Sequence, residues 1–303
     1  MGTADLHIHS MYSDGTMTIE EIAQEAIRQG VTLLAVSDHD MLKGARRLQE
    51  LVKEKNLYQK QTMHDRSSAK GLQEPVQEKA EHDGLICIPA VEINTLDRGR
   101  NVHILGYHVD LDDSSFDEFI NNNRRMLDDV SVQLIRKMEK DYEQISLAEF
   151  ANYTYDRTKG GFEALHYLNE KGLTQTLKEG FRFYEIYDCP YSCVNFPDIP
   201  TAIEKVHRAG GVAVLAHPGV TIPEKEPGEF EKELLRYVAM GIDGIECYYP
   251  LHPDWMIGMC VRICEEKGLF ITAGSDCHGS FGTAGINQMN ISADRVTLPV
   301  SLC

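Results

Sequence analysis

Short apolar runs that each close on an imidazole or a carboxylate, separated by stretches of helical periodicity, constrain this chain more than any other feature. Leu6-His7-Ile8-His9 alternates apolar and polar residues with period two, so it reads as a strand. Thr18-Ile19-Glu20-Glu21 forms a capping box, with Thr18 as N-cap and Glu21 at N3. Ile22, Ala23, Ala26 and Ile27 then share one helical face, and Gly30 ends that helix. Leu33-Leu34-Ala35-Val36 is a buried-type strand that runs into Ser37-Asp38-His39-Asp40. A helix is expected over 42–55. Leu85 to Val91 forms the next apolar strand, ending at Glu92, and Val102-His103-Ile104-Leu105 follows. Helices expected over 200–209, 229–240 and 253–266 stop at Gly210, Gly241 and Gly268. Val212 to Ala216 runs into His217-Pro218, Gly244 to Tyr248 forms another strand, and Phe270 to Ala273 runs into Gly274-Ser275-Asp276-Cys277-His278.

Strands that alternate with helices imply parallel βα units. About seven strands can be counted, which predicts an α/β fold, a closed or nearly closed (β/α) barrel, with a doubly wound sheet as the runner-up. Residues 113–195 break the rhythm. Phe116, Phe119, Ile120, Leu127, Val130, Leu134 and Met138 predict one long helix, and Ser146-Leu147-Ala148-Glu149 caps another. The expected organisation is a first barrel part over 1–112, an inserted helical subdomain over 113–195, where a lid would sit, a second barrel part over 196–285, and a tail over 286–303 to which no role is read. The polar residues 59–82 lack periodicity and are expected to form a surface excursion.

The chemistry is concentrated at the strand ends. His7 and His9 lie two apart and share a strand face; Asp276 and His278 are spaced the same way. Asp14 follows the first strand, His39, Glu92 and His217 end others, and His103 lies within one. Active sites of such barrels lie at the C-terminal ends of the strands, so six imidazoles and three carboxylates are expected in one volume. Singly, each has another use: His103 or His217 as a core histidine, Asp14 as a turn former in Ser13-Asp14-Gly15, Glu92 or Asp276 as a cap. As a set they would bury many polar groups without partners, at a cost that a cluster of divalent ions removes.

Charge narrows the partners. Lys and Arg number 30 against 47 Asp and Glu, for a net charge of −17, which argues against long nucleic acid or an anionic membrane. A local cluster of divalent ions would still draw in a small phosphate. No apolar run approaches the length of a membrane span, the first residues leave no room for a signal peptide, and the eight cysteines read as reduced thiols. A cytoplasmic location is therefore expected.

Asp5-Leu6-His7-Ile8-His9-Ser10 with Ser13-Asp14-Gly15, Ser37-Asp38-His39-Asp40, Glu92 with His103, Ala216-His217-Pro218-Gly219, and Gly274-Ser275-Asp276-Cys277-His278-Gly279 resemble the motifs of the PHP (polymerase and histidinol phosphatase) family. The resemblance covers roughly residues 4–110 and 196–285 and implies a distorted (β/α)7 TIM-like barrel with a trinuclear site. It places His7, His9, Glu92 and Asp276 on one ion, Glu92, His103 and His217 on a second, and Asp14, His39 and His278 on a third, as two or three divalent ions of Mn, Zn or Fe. The insertion, Gly106-Tyr107 and Tyr248-Tyr249-Pro250-Leu251-His252 look like one branch of the family. That branch holds phosphatases of AMP-like or 3′,5′-bisphosphate nucleotides and some RNA 5′-end exonucleases. It usually carries Arg-Pro-His in the insertion, where this chain has Gly161-Phe162-Glu163.

The expected reaction is hydrolysis of a small phosphomonoester, a nucleotide, by a metal-activated hydroxide. Asp40, beside His39, is a candidate to orient that ligand or to act as general acid or base, or else a surface helix cap. His252 is a further catalytic candidate, and His252 and Arg124 are candidates for contact with the substrate phosphate. The alternatives are a histidinol-phosphate phosphatase and a non-catalytic metal-binding regulatory module.

Overall fold

The structure, a computed structural model, describes residues 2–66 and 85–299, with side chains left out over 55–66. The elements run β1 (Thr3–Asp5), α1 (Ile19–Arg28), β2 (Val31–Leu34), α2 (Lys43–Arg66), β3 (Ile86–Cys87), β4 (Ala90–Asp97), β5 (Arg100–Tyr107), α3 (Ser114–Met138), α4 (Leu147–Phe150), α5 (Glu163–Glu170), α6 (Phe181–Ile186), α7 (Ile199–Arg208), β6 (Val212–Leu215), α8 (Pro218–Thr221), α9 (Pro227–Ala239), β7 (Gly244–Tyr248), α10 (Asp254–Lys267), β8 (Phe270–Ala273) and β9 (Ile291–Ser292). The capping box that starts α1 is present in full.

The strands form two open sheets, ordered β3-β2-β1-β9 and β4-β5-β6-β7-β8. Among the described residues neither closes on itself, and the strands expected to be all parallel are mixed. β1, β2 and β3 are parallel, as are β6, β7 and β8. β4 and β5 are antiparallel to each other, and β5 is antiparallel to β6. The cause is local: Arg98 and Gly99, between β4 and β5, have φ of 51° and 77°, the two positive values of a type I′ hairpin turn. The expected strand over 85–91 is split into β3 and the start of β4, and the strand expected at 6–9 lies just beyond β1. Isolated parallel bridges, Ile8 with Cys277 and His39 with Glu92, bring the two sheets together at the ligand-bearing strand ends.

The helix expected over 42–55 continues to Arg66. The first residues of the expected 59–82 excursion are therefore helical, and its remainder lies outside the described residues. Of the stretch 286–303, to which no role was read, the described part 286–299 has a place: β9 pairs with β1, and Val296 and Leu298 are buried in the main core. His108 Nε2 lies 2.6 Å from the Pro299 carbonyl. The N-terminal half of α3 (Phe116, Ile120) packs into this core, while its C-terminal half (Leu134, Ile135, Met138) joins a separate cluster with Phe150, Tyr167 and Phe183. Among the described residues, no helix is long and apolar enough to cross a membrane.

Candidate metal centre

Glu92 organises the site. It stands in β4 with neither face of the strand exposed (0% accessible). Its Oε2 lies 3.1 Å from His7 Nε2, 3.1 Å from His9 Nε2 and 3.2 Å from His39 Nδ1. Its Oε1 lies 2.7 Å from His103 Nδ1 and 3.0 Å from His217 Nε2. Asp276 Oδ1 sits 3.1 Å from His9 Nε2 and 3.5 Å from His7 Nε2. On the far side, Asp14 faces His278 Nε2 at 3.3 Å and His9 Nδ1 at 3.5 Å. All nine residues singled out in the sequence are thus gathered in one volume, delivered by the ends of β2 and β8, the segment after β1, two neighbouring strands and the turn after β6.

The electrostatics follow from this crowding. Burial alone would raise Glu92, but the imidazoles around it, His103 foremost, hold it well below the usual carboxylate range. Asp14 and Asp276 are likewise held low, against the effect of burial, by His278 and His7 respectively. Burial would lower His9, yet Asp276 and Glu92 carry it up to about 10. His39 goes the other way, pushed down to about 3 by burial in the company of other imidazoles.

A metal cluster fits these residues. His9 Nδ1, Asp14 Oδ1, His39 Nδ1 and Glu92 Oε2 are buried and lack a partner in hydrogen-bonding geometry, a state that native interiors avoid. Donor atoms converge within 4.8 Å of one another in three groups: His9, Asp14, His39 and His278; His7, His9, Glu92 and Asp276; and His39, Glu92 and His103. Imidazole with carboxylate is the donor set of Zn, Mn and Fe sites. His217 falls outside the third group, although it is in contact with both Glu92 and His103.

A ring of residues that the sequence reading did not single out holds these donors. Glu246, in β7, accepts from His7 Nδ1 at 3.0 Å and from the His217 amide at 2.8 Å. Asp38 accepts from the Ser10 amide, the Ser10 hydroxyl and the Ser13 hydroxyl at 2.6–2.7 Å, pinning the loop that carries Asp14. Asn94 and Asn101 meet His103 Nε2. Tyr249 donates to Asp276 Oδ2 at 3.0 Å. Such partners fix ring orientation and tautomer. Asp38 had a signal, an acid beside a ligand-type histidine, whereas Glu246, a single acid in a short strand, had none that sets it apart from ordinary alternation.

The remaining candidates divide. Asp40 is not a surface cap: it is fully buried, and accepts from Asn123 Nδ2, Asn94 Nδ2 and the Asn94 amide. Burial raises its carboxyl to about 7. His252 is enclosed, with Nδ1 donating to the Cys247 carbonyl and Nε2 accepting from the Gly219 amide. Both nitrogens are used inside the protein, so the ring braces the turn after His217 instead of offering a free donor to phosphate. Arg124, on α3, pairs through Nε with Asp128 at 3.1 Å, while its Nη1 is buried and unpartnered. Asn123, beside it, touches Asp40 and the Asn94 carbonyl, which sets Arg124 at the edge of the ligand loops.

An α/β scaffold that gathers imidazoles and carboxylates at its strand ends is the architecture of a metal-dependent hydrolase. The sequence profile of the PHP domain matches residues 5–157, and the chain belongs to that family. It is 28% identical to a 5′-3′ exoribonuclease of Haemophilus influenzae, over 98% of this chain and 97% of that one. It is 26% identical to a phosphoribosyl 1,2-cyclic phosphate 1,2-diphosphodiesterase of Eggerthella lenta (92% and 95% covered), and 24% identical to a 3′,5′-nucleoside bisphosphate phosphatase of Chromobacterium violaceum (92% and 88% covered). Among solved structures, a metal-dependent phosphoesterase assignment from Bifidobacterium adolescentis shares the fold, with a TM-score of 0.70 at 22% identity over 97% of this chain and 94% of that one. The chain is a hydrolase of phosphoester bonds, a metal-dependent phosphoesterase.

Proposed function

We propose that this enzyme hydrolyses a small phosphomonoester, a nucleotide of the AMP-like or 3′,5′-bisphosphate kind. The nine residues His7, His9, Asp14, His39, Glu92, His103, His217, Asp276 and His278 would hold two or three divalent ions (Mn, Zn or Fe). The observation that carries the reading is Glu92, whose two oxygens face two different sets of imidazoles, as a carboxylate shared between ions must. The ligand ring also favours reading the two sheets as halves of a distorted (β/α)7 barrel, since their bridges fall at Ile8–Cys277 and His39–Glu92.

Divalent ions held there would supply water of lowered pKa and neutralise phosphate oxygens. The protein's own part is orientation. Glu246 accepts a hydrogen bond from His7 Nδ1–H, so that Nε2 faces Glu92 and Asp276. Tyr249 holds one oxygen of Asp276 and leaves the other toward His9. Asp40, with both oxygens satisfied by Asn94 and Asn123, ties β4 and α3 to the loop that carries His39. Its geometry is that of a positioning residue. Arg124 offers the buried, unpartnered Nη1 to a substrate phosphate oxygen, a charge-assisted bond.

The full-length likeness to an exoribonuclease favours a second reading, release of nucleotides from RNA 5′ ends. The test is metal analysis of purified protein, then phosphate and nucleotide release from AMP, a 3′,5′-bisphosphate, histidinol phosphate and a short 5′-phosphorylated RNA. Phosphate release from the nucleotides is the expected result. Stepwise mononucleotide release from RNA, without phosphate release, selects the second reading. Preferred cleavage of histidinol phosphate defeats both.

A further inference from the structure

The inserted segment reaches the ligand loops through a pair of glycines. The Gly161 amide donates to the Asp14 carbonyl at 2.7 Å. Gly160 and Gly161 have φ of 68° and 72°, the left-handed region that a side chain disfavours. Space is closed to a side chain as well. A Cβ on Gly160 would come 2.7 Å from Phe281 Cβ and 2.8 Å from the Asp14 carbonyl oxygen, and one on Gly161 would come 2.8 Å from the Phe281 ring. Bare backbone is thus wedged between two loops, 13–16, which carries Asp14, and 278–281, which carries His278. Those loops are also tied to each other. The Thr16 amide donates to the His278 carbonyl at 3.2 Å, and the Ser280 amide donates to the Thr16 hydroxyl at 2.9 Å.

The glycines are held in turn by the insertion. His166 Nε2 donates to the Gly160 carbonyl at 2.7 Å, and the Tyr155 hydroxyl donates to the Gly161 carbonyl at 2.9 Å. The Tyr155 and His166 rings stack with centroids 4.2 Å apart. His166 belongs to α5, whose Ala164, Tyr167 and Leu168 are buried in the insertion's own core. A line of contacts therefore runs from that core, through His166 and Gly160-Gly161, to the backbone of Asp14. What it reaches is selective. Asp14 and His278 occur in one group of converging donors, with His9 and His39, and in neither of the other two, which share Glu92 of β4. Asp38 pins the Asp14 loop from the inside through Ser10 and Ser13, and Gly161 holds it from the outside.

We infer that the inserted helices are energetically coupled to one ion of the cluster, the one at Asp14 and His278, with Gly160 and Gly161 as the positioning residues. The docked insertion keeps Asp14 in place for that ion, and the bound ion fastens the insertion. This coupling rests on the metal-cluster reading above and adds how that site is regulated: whatever displaces the insertion loosens one ion and spares the rest. Coupling between two sites is reciprocal, so it leaves a signature on each side.

The test uses the full chain, freed of metal and titrated with Mn²⁺ by equilibrium dialysis, with amide exchange followed by mass spectrometry. Gly161→Ala puts a side chain where neither φ nor space admits one. It should weaken one Mn²⁺ per chain about 10- to 100-fold, the cost of disturbing a group that orients a ligand, and leave the others within about twofold. Tyr155→Phe keeps the ring and removes one hydrogen bond, so it carries the test if Gly161→Ala does not fold; it should weaken the same ion about 2- to 10-fold. In the wild type, Mn²⁺ should raise protection against exchange over both 155–168 and β4. In Gly161→Ala the rise over β4 should remain and the rise over 155–168 should disappear. Equal weakening of every ion makes the glycines merely structural and overturns the coupling. Wild-type Mn²⁺ affinities in both variants overturn it too, as does protection over 155–168 that Mn²⁺ does not change in the wild type. Each of these leaves the phosphoesterase reading standing. Wild-type protein that shows the coupling but hydrolyses no phosphoester defeats the proposed function alone, and protein that takes up no Mn²⁺, Zn²⁺ or Fe²⁺ defeats both.

Discussion

Glu246 is the sharpest place to perturb the site without removing a ligand. Its carboxylate is fully buried and accepts two hydrogen bonds, from His7 Nδ1 at 3.0 Å and from the His217 amide at 2.8 Å. Glu246→Gln keeps the shape but changes the chemistry. The amide oxygen can accept from one partner, and the NH₂ then meets the other donor, so one charge-assisted bond is lost inside the core. Such a loss costs about 1.5–3 kcal/mol, or roughly 3–6 °C in Tm for a chain of this size. Both former partners belong to proposed metal ligands, His7 and His217, so Mn²⁺ affinity should fall about 10- to 100-fold. Calorimetric melting of the metal-free protein and equilibrium dialysis against Mn²⁺ measure the two effects. Turnover at limiting Mn²⁺ should drop and be largely restored by excess Mn²⁺. A variant with wild-type Tm and wild-type Kd would refute the positioning argument. Lost turnover that excess Mn²⁺ does not restore, at unchanged Kd, would mean that Glu246 meets the substrate itself.

Three further outcomes are expected. Saturating metal-free protein with a divalent ion at about 100 times its Kd should add about 2.7 kcal/mol, seen as a rise of roughly 5 °C by calorimetry; no rise with Mn, Zn or Fe would contradict the cluster. Arg124→Met removes the unpartnered Nη1 and should lower kcat/KM for nucleotide substrates about 10- to 100-fold, the worth of a hydrogen bond to a charged group, chiefly through KM; an unchanged KM rules Arg124 out as a phosphate contact. His108 is half-buried and packed against the Pro299 carbonyl, and burial lowers its pKa. Its contribution to stability is therefore complete above its unfolded pKa of ~6.5 and is lost as pH falls through the depressed folded value. The protection factors against amide exchange at 296–298, corrected for the intrinsic pH dependence of exchange, should fall between pH 7.5 and 5 in the wild type and change less in His108→Gln.

The site was more legible than the scaffold, for a physical reason. His39, His217, Asp276 and His278 each terminate an apolar run that follows a glycine-stopped helix, and a run that is buried on both faces announces itself by composition alone. The carboxylate that braces His7 and His217 did not announce itself. Glu246 sits inside Gly244–Tyr248, where a single acid in a strand reads as ordinary alternation until its partners are known. The antiparallel return of β5 was missed because its signal is the dipeptide Arg98-Gly99, not the strands that it joins. β9 is two residues long, too short to carry any period, and the core position of Val296 and Leu298 depends on chain ends meeting in space. The capping box at Thr18 and Glu21 could be read directly because both partners lie within four residues of each other.

The backbone at the ligand ends shows what the scaffold spends to hold the cluster. Asp40, His217 and Asp276 have φ of 45°, 27° and 54°, values that cost a non-glycine residue about 1–3 kcal/mol each. Each sits where a strand stops and a ligand side chain must turn across the sheet's end, and each is tied by its own amide. Asp40 donates to the Glu92 carbonyl at 2.9 Å, Asp276 to the His7 carbonyl at 2.8 Å, and His217 to the Glu246 carboxylate at 2.8 Å. The acceptors are two of the proposed ligands and the residue that braces both His7 and His217. Each of these three turns is thus fastened to a segment that carries or braces a proposed ligand, so none can relax its backbone without loosening another. A side chain needed only for packing would gain nothing from such cross-fastening. A cluster whose donors must keep their positions through each cycle of substrate binding and release does.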